Sequence, residues 1–287
     1  MAGHRAVCSR DHSRTDRVPL LAREAIMLLI RRGDRGPRVV MIQGILRAQG
    51  AHIDIDGAYG PNTAAAVSAF QQRAGGLLAD GTIGLDTWRA IERVTGYRII
   101  NVVDAEDSAQ RQRVCSGLTR AGGNPIIMYG MSNAVAAAMD EVVARAGAGG
   151  MTAMVRFYSH GGPGMQNVAS GHDGGNMGHL SGVSVQHFPA MRAQFERLND
   201  ILAPFGCVDM MGCSVGDGAQ GDALLNGISD AANRPAEAGI QVQYSQDEGH
   251  KVFNFEGPVK ASYPGRRSRQ AWGRHVQGWI GPLRRTG

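Results

Sequence analysis

The sequence predicts an α/β protein preceded by a small helical region, and three observations carry that prediction. From about residue 22 to 96, apolar side chains recur at helical spacing between Asp-Gly turns. From residue 97, short apolar runs alternate with helical stretches, the strand-helix-strand order of a largely parallel sheet covered on both faces. Two of those runs, Met154-Val-Arg-Phe-Tyr-Ser-His160-Gly-Gly162 and Val208-Asp-Met-Met-Gly-Cys213-Ser, stop at a histidine and a cysteine flanked by glycine. In a parallel sheet the carboxyl ends of strands share one edge, where sites form.

Length and composition agree with this division. The chain has 287 residues, enough for one small and one ordinary domain. Hydrophobic residues are 43% and charged ones 19%, a globular balance, and 41 glycines imply many tight turns. The formal charge of +5 is uneven: residues 101–263 hold ten basic and sixteen acidic side chains, while Arg266 to Arg285 contains six arginines and no acid. That basic end is read as a solvated tail, residues 266–287, able to meet an anionic envelope polymer. A nucleic-acid partner is not expected, because no nucleic-acid motif or interleaved aromatic accompanies the arginines. Cys8, Cys115, Cys207 and Cys213 show neither a disulfide framework nor a CxxC pair, so reduced thiols and no structural zinc are expected. Leu20 to Ile30 is broken by Arg23 and Glu24 and lacks the form of a signal-peptide core, and no apolar run is long enough to span a membrane.

In order, residues 1–21 are polar and expected to be loose. A helical pattern from Ala22 is interrupted at Arg32-Gly-Asp-Arg-Gly-Pro37 and resumes through Val39, Val40, Ile42, Ile45 and Leu46, with Pro37 suited to the first turn. The loop Asp56-Gly57-Ala-Tyr59-Gly60-Pro61-Asn-Thr63 leads into a helix with Ala66, Val67, Ala69 and Phe70 inward. A second copy, Asp80-Gly81-Thr-Ile83-Gly84-Leu-Asp-Thr87-Trp88, opens a helix to about Val94. In each pair the aspartate bonds the turn's backbone and the glycine takes the positive-φ position. Gly44 interrupts good helix formers and weakens its helix by about 1 kcal/mol. Tyr59 is expected on an exposed loop, its ring free for a sugar or peptide.

Those residues, with Gln43, Leu46, Phe70-Gln71 and Thr87-Trp88, closely resemble the peptidoglycan-binding domain appended to bacterial and phage cell-wall enzymes. The resemblance covers Arg32 to about Val94, within a domain placed at 22–96. It implies a three-helix module that binds murein without cutting it, with Asp56, Tyr59, Thr63, Asp80 and Trp88 as peptidoglycan-binding candidates.

The second domain, 97–265, is read as strands Arg98–Val103 and Pro125–Tyr129, helices Ser108–Ala121 and Ala134–Ala146, and then the histidine strand. A glycine-rich excursion from Gly161 to Gly182 precedes a short strand at Val183–Phe188, a helix Pro189–Leu202 and the cysteine strand. A helix Gly221–Ala232 and strands Ile240–Tyr244 and Val252–Phe255 complete the reading. Chemically, a cysteine needs its proton removed to attack, and an imidazole at a neighbouring strand end supplies the base. Cys207 and Cys115 are the lesser thiols, one read in a turn and the other in a helix facing the core.

An apolar strand ending Ser-His-Gly, followed later by one ending Gly-Cys-Ser, resembles the caspase-like cysteine peptidases of clan CD, most of all separases and bacterial caspase-like domains. This resemblance implies a caspase-like α/β domain with His160 as catalytic histidine, Cys213 as nucleophile, and the backbone of Gly161 and Cys213 as the oxyanion site. It makes the chain a cell-wall-targeted cysteine endopeptidase with peptidoglycan and a protein or peptide substrate as partners, and no metal or cofactor. One alternative is a zinc peptidoglycan hydrolase using His160, His172, His179 and His187 with Asp173. There Ser170-Gly-His172-Asp-Gly-Gly175 partly matches the motif of zinc D,D-peptidases, whose downstream aspartate falls at His179. The other is a non-catalytic envelope-binding protein whose caspase-like domain only docks a partner. The expected location is the bacterial envelope or outside it, without a recognisable signal peptide, after a cytoplasmic stage before release.

Overall fold

In this computed structural model the described residues are 29–105, 114–119, 123–128, 133–147, 149–168, 182–243, 255 and 257–283. The pattern starting at Ala22, Cys8, and the excursion residues His172, Asp173 and His179 lie outside them.

Three helices follow in succession at the N-terminal side: α1 (Pro37–Ala48), α2 (Pro61–Ala74) and α3 (Leu85–Thr95). Each begins directly after a glycine, and α1 and α2 carry proline in the first turn, where its missing N–H costs nothing. The loops between them are built twice on one plan. Gln43 Nε2 lies within bonding distance of Asp56 Oδ1 (2.8 Å), Ala58 O (3.1 Å) and Thr63 Oγ1 (3.1 Å), and its Oε1 accepts from Gly57 N (2.8 Å). Gln71 Nε2 meets Asp80 Oδ1 (3.1 Å), Thr82 O (2.9 Å) and Thr87 Oγ1 (3.0 Å) in the same way, and its Oε1 accepts from Gly81 N (2.9 Å). Gly57 and Gly81 both take positive φ, 69° and 73°. A buried amide with all its groups bonded fixes each loop more firmly than any one contact.

After Gly96 the chain enters a six-stranded sheet of order β2-β1-β3-β7-β8-β9. Its strands are β1 (Arg98–Asp104), β2 (Ile126–Met128), β3 (Thr152–Tyr158), β7 (Leu202–Met210), β8 (Ala236–Gly239) and β9 (Val259–Ser262). All neighbours are parallel except the antiparallel edge strand β9, so the mixed α/β class with a largely parallel sheet holds. A small antiparallel sheet follows β3: β4 (Gly161–Gly162), β5 (Met165–Asn167) and β6 (Gly182–Ser184).

Period-two alternation sorts the main sheet's side chains between two layers. Val102, Val155, Phe157, Val208, Met210 and Ala238 face a core closed by α4 (Ala134–Ala146), α5 (Phe188–Glu196), the short α6 (Leu198–Ile201) and α7 (Gly218–Ala232). The opposite face presents Val103, Met154, Tyr158, Phe205 and Cys207, and these share one core with Val40, Ile42, Ile45, Trp88 and Trp272. Helix α1 thus serves as a layer of the α/β fold, and the two predicted domains have a common interior. Gly44 makes the approach possible. A Cβ there would lie 2.6 Å from Phe205 Cδ1 and closer still to its Cβ and Cγ, so the expected weak point of the helix is its docking point on β7.

The same interface buries charge. Asn101, Arg156, Asp209 and Glu237 stand in one register row across β1, β3, β7 and β8. Arg38 of α1 reaches into it, 2.8 Å from Asp209 and 2.6 Å from Glu237, while Arg156 Nε is 3.0 Å from Asp209. Burial works against the Arg38 charge, yet Asp209 and Glu237 more than offset it and hold the guanidinium above its ordinary range.

Several predicted boundaries are corrected. Over its described residues, 266–283, the arginine-rich end is no solvated tail: α8 (Arg269–Leu283) buries Trp272, Val276 and Ile280, while 284–287 lie outside the described residues. Arg269 Nε donates to Asp56 O (3.0 Å), Gln277 Oε1 accepts from Ile55 N (3.2 Å), and Arg266 pairs with Asp230 (2.8 Å). The helix lies against the first Asp-Gly loop because apolar side chains four apart give it a face to bury. The described closing strands are β8 and β9; residues 240–243 of the strand expected at Ile240–Tyr244 form none, and the strand expected at Val252–Phe255 lies, but for Phe255, outside the described residues. A strand covered on both faces by close-packed elements here takes the small residues Ala236 and Ala238, with Glu237 beneath Arg38, instead of an alternating apolar run. The Pro189–Leu202 helix gives way to β7 at Leu202, and the strand read at Val183–Phe188 is β6, followed at Phe188 by α5.

Candidate functional site

The histidine and cysteine strands are neighbours. In the parallel pair β3-β7, Phe157 stands opposite Met210, so His160 and Cys213 each lie three residues beyond one registered pair. Met211 N donates to Phe157 O at 2.8 Å, which carries the pairing past the ends of both strands.

The loops that follow are pressed together. A Cβ on Gly161 would come within 2.6 Å of Val215 Cγ2 and 3.3 Å of Gly212 Cα, so Gly161 seats the histidine loop on the cysteine loop. Gly164 N donates to Val215 O (3.0 Å), and Asn167 N to His160 O (3.0 Å). Gln166, wholly buried on β5, bridges the two loops: its Nε2 donates to Phe157 O (2.7 Å) and its Oε1 accepts from Gly212 N (3.2 Å). Sequence reasoning passed over this residue, because a glutamine in a glycine-rich stretch has no motif to announce it.

His160 is exposed and Cys213 half-buried. Beyond Cys213, residues 239–243 run beside the cysteine loop: Gly216 N donates to Gly239 O (3.0 Å) and Ser214 N to Gln241 O (2.9 Å). The Cys213 Sγ lies 3.4 Å from Gln243 N, which donates to it, and 3.5 Å from Gln243 O, to which the thiol can donate. Ser214 adopts φ 52°, a left-handed conformation that turns the chain sharply just after the sulfur.

The other thiols are placed differently. Cys207 belongs to β7, not to a turn, and is fully buried; burial first, then Asp209 and Glu237, push its thiol well above the ordinary range, so it is held as a thiol. Cys115 is buried, within the helical residues 114–119. Of the rival zinc set, His172, Asp173 and His179 lie outside the described residues. His187 places Nδ1 2.8 Å from Ser184 Oγ ahead of α5. Among the described residues, no group of three or more His, Cys, Asp and Glu converges as a metal site requires.

In the helical region the five binding candidates divide. Asp56 and Asp80 are exposed, each accepting from the backbone N–H two residues on, at 2.8 Å. Tyr59, by contrast, is 2% exposed and its hydroxyl donates to Gly81 O (2.7 Å), so the aromatic expected on an open loop instead ties the first loop to the second. Its side chain is drawn inward because the repeat puts an apolar residue at this place in both copies, Tyr59 and Ile83, and both are core. Thr63 and Trp88 are buried too, Thr63 within the Gln43 network. One further cavity, about 210 Å³ and lined among others by Asp222, Lys260, Tyr263 and Arg267, includes neither His160 nor Cys213.

Comparison with known proteins agrees with the helical region. Residues 35–91 match the family described as putative peptidoglycan binding domain, and the chain carries that domain there. Solved structures that match include the crystal structure of Burkholderia AP3 phage endolysin, with 40% identity, 32% of this chain and 33% of that chain covered, and a TM-score of 0.22. The chain thus spans about a third of that protein's length. No curated protein matches.

Among the described residues, no helix is long and apolar enough to cross a membrane.

Proposed function

We propose that this protein is a cysteine endopeptidase of caspase-like type directed to the bacterial cell wall by its peptidoglycan-binding domain. The observation that carries the reading is the register of β3 and β7, which sets His160 and Cys213 three residues past one facing pair at the same edge of the sheet. A base and a nucleophile on adjacent strand ends are what thiolate catalysis requires. His160 accepts the Cys213 proton; the thiolate adds to the scissile carbonyl carbon, and the oxyanion is held by the N–H groups of Gly161 and Cys213. Collapse breaks the C–N bond, with the imidazolium returning its proton to the leaving amine. Water, deprotonated by His160, then cleaves the thioester and releases the acid and the free thiol.

Replacing Cys213 by alanine should abolish cleavage of a peptide library or of envelope proteins while leaving murein pull-down intact. Cleavage at the wild-type rate by Cys213→Ala would end the proposal. A non-catalytic envelope-binding protein is the competing reading, and the engagement of Cys213 Sγ by both backbone groups of Gln243 favours it. It predicts murein binding with no turnover of murein or peptides by the unmodified chain.

A further inference from the structure

We infer that Gln166 is a positioning residue for the His160-Cys213 pair, an inference that rests on the cysteine-peptidase reading and adds to it the part that holds the two groups in register. The side chain is wholly buried, on the middle strand of the small sheet that follows the histidine. Its amide makes one bond to each partner strand's end. Nε2 donates 2.7 Å to the carbonyl of Phe157, three residues before His160, and Oε1 accepts 3.2 Å from the N–H of Gly212, immediately before Cys213. The Phe157 carbonyl also accepts from Met211 N at 2.8 Å, so both its lone pairs are used, one by the cysteine strand and one by Gln166.

Beyond these bonds the β3-β7 ladder has ended, and the next backbone bond between the two loops is the one from Gly164 N to Val215 O at 3.0 Å. Gln166 replaces the missing rung. It is also in van der Waals reach of the cysteine loop: a Cβ on Gly212 would meet Gln166 Cδ at 3.2 Å. The backbone of Gln166 pairs with Gly161 on one side and Val183 on the other, so the amide is carried by a strand fixed on both edges. An amide does this job where other side chains of similar size fail. Glutamate cannot donate to Phe157 O, and methionine fills the space with no bond to either loop.

The inference is tested by peptide-resolved mass spectrometry of Cys213 alkylation with iodoacetamide, on the full chain and on Gln166→Met, Gln166→Glu, His160→Ala and the doubles. If Gln166 acts through the pair, Gln166→Met slows alkylation about tenfold to a hundredfold in the wild-type background and scarcely at all with His160→Ala. On a peptide substrate its kcat falls by a similar factor with KM nearly unchanged. Equal slowing in both backgrounds, or none, in folded variants overturns the positioning role. An unchanged rate in His160→Ala alone instead overturns the cysteine-histidine reading beneath it. Amide exchange of Gly212 in the unmodified protein gives a check that needs no variant to fold: exchange as fast as an open loop's overturns the clamp, and strong protection supports it.

Discussion

Glu237 is the residue at which the interface becomes a measurable function of pH. It is buried under α1 with Asp209 beside it, and although Arg38 stands 2.6 Å away, burial and the neighbouring carboxylate push it up to about 8. The folded chain therefore keeps a proton that the unfolded chain has already lost above the usual carboxylate range. Through that window the native state binds more protons than the unfolded one, so stability is greatest at its acid end and falls as pH rises toward about 8. Melting temperatures from about pH 5 to about pH 8.5 should decline, and Glu237→Gln should flatten the decline. An equal slope in the variant would show that the proton is taken up elsewhere.

At the scale of elements, helix α1 and strand β7 decide how the two halves meet, and Gly44 is the pivot. Alanine there gains about 1 kcal/mol of helix propensity. It also sets a methyl 2.6 Å from Phe205 Cδ1, and overpacking of this kind costs about 1–3 kcal/mol. The clash is with a ring fully buried on a central strand, so packing outweighs propensity. Gly44→Ala should melt several degrees lower, and Phe205→Leu in the same chain should recover part of the loss. A higher melting temperature for Gly44→Ala would mean that α1 does not sit on β7 as described.

That glycine also shows where the sequence is legible and where it is not. The Asp-Gly loops could be read because every partner of Gln43 and Gln71 lies within twenty residues and repeats in a fixed order. The strand ends could be read because an apolar run that stops at His160 or Cys213 is a local event. The joint core could not: Arg38 and Asp209 are 171 residues apart, and nothing near either one names the other. Gly44 looked like a flaw because its reason, Phe205, was equally distant. The C-terminal helix is a different failure. Trp272, Val276 and Ile280 recur every four residues in plain view, and the arginines around them drew the reading toward a solvated end.

For the whole molecule, the consequence is that the peptidoglycan-binding domain cannot be removed as a tethered anchor could. Without α1, the sheet face carrying Val103, Met154, Tyr158, Phe205 and Cys207 loses its cover. Asp209 and Glu237 also lose Arg38, the cation 2.8 Å from one and 2.6 Å from the other. Breaking a buried pair by removing one partner costs about 3–5 kcal/mol, and the stripped apolar face adds to that. A fragment of residues 97–287 should therefore show native-like far-UV circular dichroism at most, with no near-UV signal and strong dye binding, the marks of lost packing. Supplying residues 1–96 as a separate chain should restore a cooperative transition, since the missing layer can dock without a covalent link. If the fragment alone melts cooperatively within a few degrees of the full chain, the shared core is not required, and murein binding and the His160-Cys213 edge are energetically independent. If it does not, the peptidoglycan-binding domain is also a wall of the α/β fold, and the candidate site is held to it in one orientation set by Arg38, Gly44 and α8.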